Sequence, residues 1–342
     1  MKEILIVFTP FLVSIILIPL TIFISKKFKI LDHPGDRKVH KISKPLLGGL
    51  GITIGFFVGI LLMNKFGLIN FSSKYHIFMI GLGIMFFVGL LDDIFNLKPW
   101  IKLFAQIGAA VLFVSLGEIS TVHLPFRIIA YIITFGWIIG ITNSFNLLDN
   151  MDGLSSGISI ICAGVFALLY MQTKQYELMF LCLIFLSAQL GFLIFNFYPA
   201  KIFMGDTGSL FTGYFFATIS IMGSYVEFSR LSRLPVLIPV LVLTVPIFDT
   251  VSVIFIRLKK GLSIFKGDKN HFSHRLVELG MSHKQAVVFI YIVTFGTAVS
   301  AMFLPSINLL QAGLLFLQII IFLLIIITLM IVGKNSNQNN GE

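Results

Sequence analysis

The sequence predicts an all-α, polytopic integral membrane protein with about 11 transmembrane helices and an active site on cytoplasmic loops. Its 342 residues are 57% hydrophobic and only 12% charged, with a mean hydropathy of +0.99, far from the composition of a soluble domain. Apolar runs of about 17–25 residues, the length that crosses a bilayer as a helix, recur along the whole chain. All nine aspartates fall on one side of the resulting topology, whereas four of the six glutamates fall on the other.

The apolar runs define the predicted spans and the domain organisation. We predict a single transmembrane domain over residues 1–333, followed by a polar, Asn-rich tail over 334–342 that is disordered. The predicted spans are 3–25, 46–66, 75–95, 100–117, 125–142, 156–172, 178–196, 208–225, 234–256, 285–304 and 307–332.

The distribution of basic residues predicts the orientation. The side that holds residues 26–45, 257–284 and the C-terminal segment carries 18 of the 25 Lys and Arg residues, which marks it as cytoplasmic. The N-terminus is then outside and the C-terminus inside, which requires an odd number of spans. The net charge of +10 is attributed to this bias and to contact with anionic membrane lipid, so no nucleic-acid partner is expected.

Two adjacent carboxylates, Asp92 and Asp93, close the third predicted span. They repel each other and lie at the negative end of the helix dipole. A bound cation would offset this cost, and short carboxylates suit Mg²⁺ and the phosphates that it binds. The pair therefore indicates a metal or phosphate site, against the alternative of a solvated helix end.

Polar residues recur at intervals of three where the fifth span ends, at Asn146, Asp149 and Asp152. On a helical turn this spacing puts them on one face, where their oxygens can bind a ribose, a uracil edge or the waters of a metal. The alternative is a capping and turn cluster before the sixth span. The density of polar groups beside the bilayer favours a functional site.

The segment between the seventh and eighth spans, 196–209, reads NFYPAKIFMGDTGS. Gly205 and Gly208 allow the backbone to approach a ligand closely and to present N–H groups to an anion. Asp206 is placed as a magnesium ligand, and Phe203 is placed to stack on a base. An ordinary glycine turn between two helices is the alternative.

Two further loops carry basic groups that suit phosphate. His271, His274 and Arg275 combine charge, forked donors and a titratable proton carrier in the longest cytoplasmic loop. Arg37 and His40 precede a Gly-Gly helix entry in the first loop. A basic segment beside the membrane usually signals only orientation, so the first loop makes the weaker case.

Taken in order along the chain, these motifs resemble one family. DxPxxRKxH with PxxGG, the paired Asp, NxxNxxDxxDG, NxxPAxxFMGDTGS and the His loop occur over residues 30–280. The set resembles the polyprenyl-phosphate N-acetylhexosamine-1-phosphate transferases of glycosyltransferase family 4, on the branch that initiates teichoic acid, lipopolysaccharide O-antigen or related bacterial envelope glycans. The chain departs from the pattern at Ser273, where a third histidine is frequent, and at Asn150, where glycine is usual.

The resemblance implies transfer of a sugar-1-phosphate from a UDP-N-acetylhexosamine, first of all UDP-GlcNAc, to undecaprenyl phosphate in a bacterial inner membrane, with release of UMP. It implies Mg²⁺ as the cofactor, with Mn²⁺ as a substitute. By motif match, the implied catalytic residues are Asp92, Asp93, Asp206 and His271, and the three aspartates among them are the implied metal ligands. The implied substrate-binding residues are Asn146, Asp149, Asp152, Asn196, Phe203, His274, Arg275, Arg37 and His40.

Two chemical routes are open for this reaction: direct attack by the lipid phosphate, or an aspartyl-phosphate intermediate. A phosphate monoester has a second pKa of about 6 and is largely dianionic at neutral pH. A general base therefore adds little, and we favour direct attack.

Other functions compete with this one. A phospho-N-acetylmuramoyl-pentapeptide transferase is the nearest alternative, although that enzyme carries adjacent histidines where this chain reads His271-Phe-Ser-His274. An ion-coupled transporter would place acids near the bilayer midplane within repeated halves, whereas here the acids lie at helix ends. The sequence leaves open the hexosamine, the polymer, the polyprenyl length and whether the chain forms a homodimer.

Overall fold

The computed structural model describes residues 1–33, 43–69, 72–116, 127–225, 237–263 and 270–339. Most of them are helical, and strands are almost absent, which confirms the predicted all-α membrane fold. The chain divides into two compact units, Met1–Gly223 and Ser224–Glu342. A single transmembrane domain over 1–333 stays a prediction.

The first unit is a bundle of long helices that correspond to the first eight predicted spans. A short antiparallel pair, β1 (Leu31–Asp32) and β2 (Lys44–Pro45), lies between the first two helices, with Leu31 opposite Pro45. The helices are α1 (Lys2–Lys27), α2 (Gly48–Lys65), α3 (Ser73–Phe95), α4 (Pro99–Leu116), α5 (Arg127–Leu148), α6 (Leu154–Gln172), α7 (Tyr176–Asn196) and α8 (Gly205–Met222).

The second unit contains shorter helices before two long ones. They are α9 (Ile238–Val242), α10 (Thr244–Lys259), α11 (Phe272–Glu278), α12 (His283–Ser300), a 3-10 helix (Ala301–Ser306) and α13 (Leu309–Asn339). The last helix includes residues 334–339, which the sequence predicts to be disordered.

The ninth predicted span is broken into α9 and α10, a difference that the sequence explains. Pro246 lies in the first turn of α10 and has no N–H to donate to the carbonyl of Val242. Because proline inside a helix also clashes with that carbonyl, the regular hydrogen-bond ladder stops, and Leu243 lies between the two helices.

Nine helices in the described ranges are long and apolar enough to cross a membrane, so the chain is a multi-pass membrane protein. The α8 helix is not among them because Gly, Thr and Ser dilute its apolar residues. It is nevertheless buried along nearly its whole length. The count of eleven spans stays a prediction.

Aromatic side chains hold α8 inside the first unit. Phe215 of α8 stacks on Phe185 of α7, with ring centroids 4.0 Å apart and an interplanar angle of 6°. Phe56 of α2 meets Phe211 of α8 edge-on at 5.5 Å. Such pairs contribute about 0.5–1.5 kcal/mol each beyond their burial, so α8 is a well-fixed support for the residues at its start.

Candidate active site

Asp93 of α3 fixes the start of α8. Its Oδ1 accepts the N–H of Asp206 at 2.8 Å, and its Oδ2 accepts the N–H and the hydroxyl of Thr207 at 3.0 and 2.5 Å. The first amides of a helix lack acceptors within the helix, and a carboxylate there also complements the helix dipole. Asp93 therefore caps α8 from a neighbouring helix and sets the position of Asp206.

The glycine turn before α8 is bonded to the entry of α2 by backbone contacts. The N–H of Phe203 donates to the carbonyl of Pro45 at 2.8 Å, and the N–H groups of Gly48 and Gly49 donate to carbonyls of residues 203–204 at 3.0 and 2.9 Å. Gly205 has φ +68°, and a Cβ there would lie 2.5 Å from Asp93 Oδ2. Since the amides of residues 206–207 donate to Asp93, those two donors are taken up within the protein and not offered to an anion.

Lys102 of α4 joins two of the predicted metal ligands. Its Nζ lies 2.6 Å from Oδ2 of Asp206 and 3.1 Å from Oδ2 of Asp92. The three side chains are between 14% and 23% exposed, so they are shielded yet reachable from solvent. The carboxylates of Asp92 and Asp206 are thus close enough to share one cation.

Asn146 orients the other oxygen of Asp206. Its Nδ2 donates to Oδ1 of Asp206 at 3.0 Å and to Oγ of Ser209 at 2.9 Å. With Lys102 on one oxygen and Asn146 on the other, the Asp206 carboxylate has a defined direction before any ligand binds.

Asp149, immediately after α5, lies among other carboxylates, and they affect its pKa. Burial raises the pKa of its carboxyl group to about 8, and the negative charges of Asp206, Asp93, Asp152 and Asp32 contribute to the rise. The structure therefore brings together carboxylates from four separate segments of the first unit. Carboxylates gathered in this way favour binding of a cation.

Asp152 and Asn196 connect the loops around the site. Oδ2 of Asp152 accepts the N–H of Ala200 at 2.8 Å. Asn196, which is 2% exposed, donates to the carbonyl of Ile202 at 2.9 Å and accepts the N–H of Gly153 at 3.1 Å. Both residues hold the 196–205 segment in place, and direct contact with a nucleotide stays a prediction for them.

Of the remaining predicted substrate-binding residues of the first unit, the structure describes one, Phe203. Phe203 is half-buried in the turn before α8, and its uracil contact stays a prediction. Arg37 and His40 lie outside the described residues.

The predicted diphosphate residues form a cluster within the second unit. Nδ1 of His271 lies 2.8 Å from Oδ2 of the buried Asp249, and the rings of His271 and His274 are 6.3 Å apart. Nη2 of Arg275 donates to Oγ of Ser252 at 2.7 Å. Burial lowers the pKa of the Arg275 guanidinium, against the opposing charges of Asp249 and a neighbouring glutamate.

Lys102 is the site residue that sequence reasoning missed. The available signal was a lysine in the first turn of the otherwise apolar α4, ten residues after Asp92. In the sequence alone, Lys102 is only one of the 18 basic residues that predict the orientation.

The protein side chains supply only part of the oxygen ligands that Mg²⁺ needs. Within the described ranges, no group of three or more His, Cys, Asp or Glu side chains is arranged to hold a metal. Mg²⁺ commonly takes one or two carboxylates and completes its shell with water and substrate phosphates. Asp92 and Asp206, which already share the ammonium of Lys102, match that requirement, whereas Asp93 has three acceptor positions occupied.

We expect Lys102→Met to destabilise the metal-free protein by about 2 kcal/mol, because removal of one partner leaves partly buried like charges uncompensated. Thermal unfolding in EDTA measures this loss. Addition of Mg²⁺ should restore most of it if the two carboxylates bind the ion. A variant as stable as the unmutated protein in EDTA would contradict the inferred role of Lys102 as counter-charge.

The fold and the site together define a class: a multi-pass membrane enzyme whose polar helix ends surround a cluster of carboxylates. Comparison with known proteins gives the family. Residues 75–224 match glycosyl transferase family 4. The chain is 36% identical over 323 residues to a probable undecaprenyl-phosphate N-acetylglucosaminyl 1-phosphate transferase of Bacillus subtilis, with 92% of this chain and 88% of the relative covered.

Two other relatives have different names. A decaprenyl-phosphate N-acetylglucosaminephosphotransferase of Mycobacterium leprae is 30% identical, with 82% of this chain and 79% of the relative covered. A phospho-N-acetylmuramoyl-pentapeptide-transferase of Geobacillus is 31% identical, with 83% and 91% covered. The chain therefore belongs to glycosyl transferase family 4, and the family predicted from its motifs is confirmed.

Proposed function

We propose that this protein transfers N-acetylhexosamine-1-phosphate, with GlcNAc-1-phosphate as the first candidate, from a UDP-sugar to undecaprenyl phosphate and releases UMP. The proposed location is a bacterial inner membrane, with the N-terminus outside and the C-terminus cytoplasmic. The product would be the lipid-linked first unit of an envelope glycan such as a teichoic acid or an O-antigen. The names of the relatives support the reaction class and the polyprenyl-phosphate acceptor.

One observation in the structure carries the proposal. Asp92, at the end of α3, and Asp206, at the start of α8, are more than a hundred residues apart in sequence, yet both contact the ammonium group of Lys102. The reaction brings together two phosphorylated substrates, so its main requirements are neutralisation of charge and alignment of the attacking oxygen. Paired carboxylates that can hold a divalent cation meet the first requirement.

We propose Mg²⁺ as the ion that Asp92 and Asp206 hold, with Mn²⁺ as a substitute. When bound to a diphosphate, such an ion neutralises charge on the phosphoryl oxygens and stabilises the departing UMP. Nζ of Lys102 contacts both carboxylates, so the lysine would have to give up these contacts for Asp92 and Asp206 to hold an ion. A phosphate oxygen of either substrate is then a suitable partner for the ammonium group.

The predicted residues of each unit have different proposed tasks in this reaction. Asn146 and Asp93 fix the direction and the position of Asp206 before the substrates arrive. The lipid phosphate attacks directly, because it is already dianionic at neutral pH, and none of the aspartates needs to accept a proton from it. His271, His274 and Arg275 are the proposed partners of the UDP diphosphate.

A second candidate rests on one of the relatives. The similarity to a phospho-N-acetylmuramoyl-pentapeptide-transferase favours UDP-MurNAc-pentapeptide as the competing donor. The separation of His271 from His274 by two residues favours the smaller UDP-N-acetylhexosamine, because the run of adjacent histidines of that enzyme is absent from this sequence.

We expect purified protein in detergent to release UMP from UDP-GlcNAc only when undecaprenyl phosphate is added. UDP-GalNAc and UDP-MurNAc-pentapeptide, assayed in parallel, identify the donor. EDTA should abolish UMP release, and Mg²⁺ or Mn²⁺ should restore it. UMP release that does not depend on the lipid phosphate, or full activity in EDTA, would contradict the proposal.

A further inference from the structure

Asp249 of α10 makes two contacts with the start of α11, and each of its oxygens takes part. Oδ2 lies 2.8 Å from Nδ1 of His271, and Oδ1 accepts the N–H of Phe272 at 2.6 Å. Asp249 is 1% exposed and His271 is 4% exposed. A carboxylate that is this deeply buried therefore both caps α11 and contacts the histidine that precedes it.

The same face of α10 supplies a second attachment one turn further along. Ser252, three residues after Asp249, accepts a hydrogen bond from Nη2 of Arg275, which is four residues after His271. Residues three or four apart lie on one face of a helix, so α10 holds α11 at two points. The side chains that it holds are two of the three proposed diphosphate partners.

The contact with Asp249 decides which nitrogen of His271 is available to a substrate. An ionised carboxylate only accepts hydrogen bonds, so Nδ1 has to carry a proton when it faces one. Neutral imidazole has one protonated nitrogen, which leaves the lone pair on Nε2. A positively charged imidazole on the same contact would instead present Nε2–H as a donor to a phosphate oxygen.

We propose that Asp249 is a positioning residue that keeps Nδ1 of His271 protonated and stabilises the imidazolium, so that Nε2–H is the group that donates to the phosphate oxygens of the substrate. The task of His271 rests on the proposed function, whereas the protonation of its Nδ1 does not. Asp249 itself contacts no substrate and acts only through His271 and the α11 cap. Carboxylate–histidine pairs of this kind fix tautomer and ring orientation in other enzymes.

The test is a comparison of Asp249→Asn with Asp249→Glu. Asparagine can keep the cap through its oxygen, but it then turns its amide N–H toward Nδ1 of His271 and favours the Nε2–H form. Glutamate keeps a carboxylate acceptor and should keep the Nδ1–H form. If only packing mattered, Asp249→Glu would be the more harmful substitution, because Glu is larger than Asp whereas Asn is the same size. The proposal predicts the opposite order.

Selective ¹⁵N-histidine labelling reads the tautomer directly, since the chain has only seven histidines and His271→Gln identifies the signal. We expect protonated Nδ1 in the unmutated protein and in Asp249→Glu, and protonated Nε2 in Asp249→Asn. Ser252→Ala is the matched control, because it removes the partner of Arg275 and should leave the His271 signals unchanged. Unprotonated Nδ1 in the unmutated protein, or no change in Asp249→Asn, would overturn the proposal.

Kinetics supply the second readout. We expect Asp249→Asn to lower kcat for UMP release about a hundredfold, with a much smaller change in KM, because an interaction that strengthens as the diphosphate breaks affects mainly kcat. In a His271→Gln background the same substitution should have no further effect on kcat. Additive losses would show that Asp249 acts independently of His271. If the unmutated protein releases no UMP, the proposed function fails, while the NMR comparison still decides the tautomer.

Discussion

Replacement of Asp206 by asparagine should lower UMP release about a thousandfold or more while the protein stays folded. The substitution removes the negative charge from the oxygen that lies 2.6 Å from Lys102 Nζ and leaves one carboxylate, Asp92, to hold the proposed ion. Loss of a preorganised charge at a reacting phosphate costs about two to three orders of magnitude, and loss of a metal ligand adds to this. UMP release under saturating UDP-GlcNAc and undecaprenyl phosphate measures the effect.

Folding of the Asp206→Asn variant has to be measured separately. The amide oxygen of the new side chain can still accept from Asn146, and the backbone N–H that donates to Asp93 is unchanged. We therefore expect a thermal unfolding temperature in EDTA within a few degrees of the unmutated protein. Activity within tenfold of the unmutated protein would show that Asp206 is not the proposed ligand.

The second large effect is expected at a residue that carries no functional group. A Cβ at Gly89 of α3 would lie 2.3 Å from the carbonyl oxygen of Asp206 and 2.7 Å from the Cα of Thr207. These are backbone atoms that a rotamer change cannot move, so Gly89→Ala should push the start of α8 away from α3. We expect UMP release to fall about a hundredfold, because small displacements of a positioned group have effects of that order.

A matched control lies in the same helix. A Cβ at Gly83 of α3 meets nothing within 4 Å, and alanine is the better helix former by about 1 kcal/mol. Gly83→Ala should therefore retain full activity and unchanged or higher thermal stability. Equal activities of Gly83→Ala and Gly89→Ala would contradict the close contact between α3 and α8.

Much of the fold could be predicted because apolar runs of membrane-crossing length are a strong signal. Each of the first eight predicted spans has a helix at the same place. The break between α9 and α10 depends on Pro246, and its signal was present in the sequence. A window of hydrophobicity averages over a single proline, so the span was predicted as continuous.

The site could be predicted as a set of residues but not as an arrangement. Polar groups at the ends of apolar helices identified Asp92, Asp93, Asn146 and Asp206, which the structure brings together. The sequence could not predict that adjacent aspartates have different partners. Asp92 contacts Lys102, whereas Asp93 caps α8 by accepting N–H groups of residues that lie 113 and 114 positions later in the chain. Adjacent residues on a helix point in different directions, and only the packing of α3, α4 and α8 decides what each one meets.

The glycine contacts at the start of α8 have a consequence for how mutational data on this enzyme should be interpreted. At Gly49, as at Gly89, an added methyl group would meet backbone atoms of residues 206–208, in the first turn of α8. A saturation scan scored on product formation alone will rank such positions beside the carboxylates, although a glycine has no side-chain group that could bind or react. To distinguish residues that are needed for packing from residues that act in the reaction, a second score is required, such as the amount of folded protein recovered from the membrane.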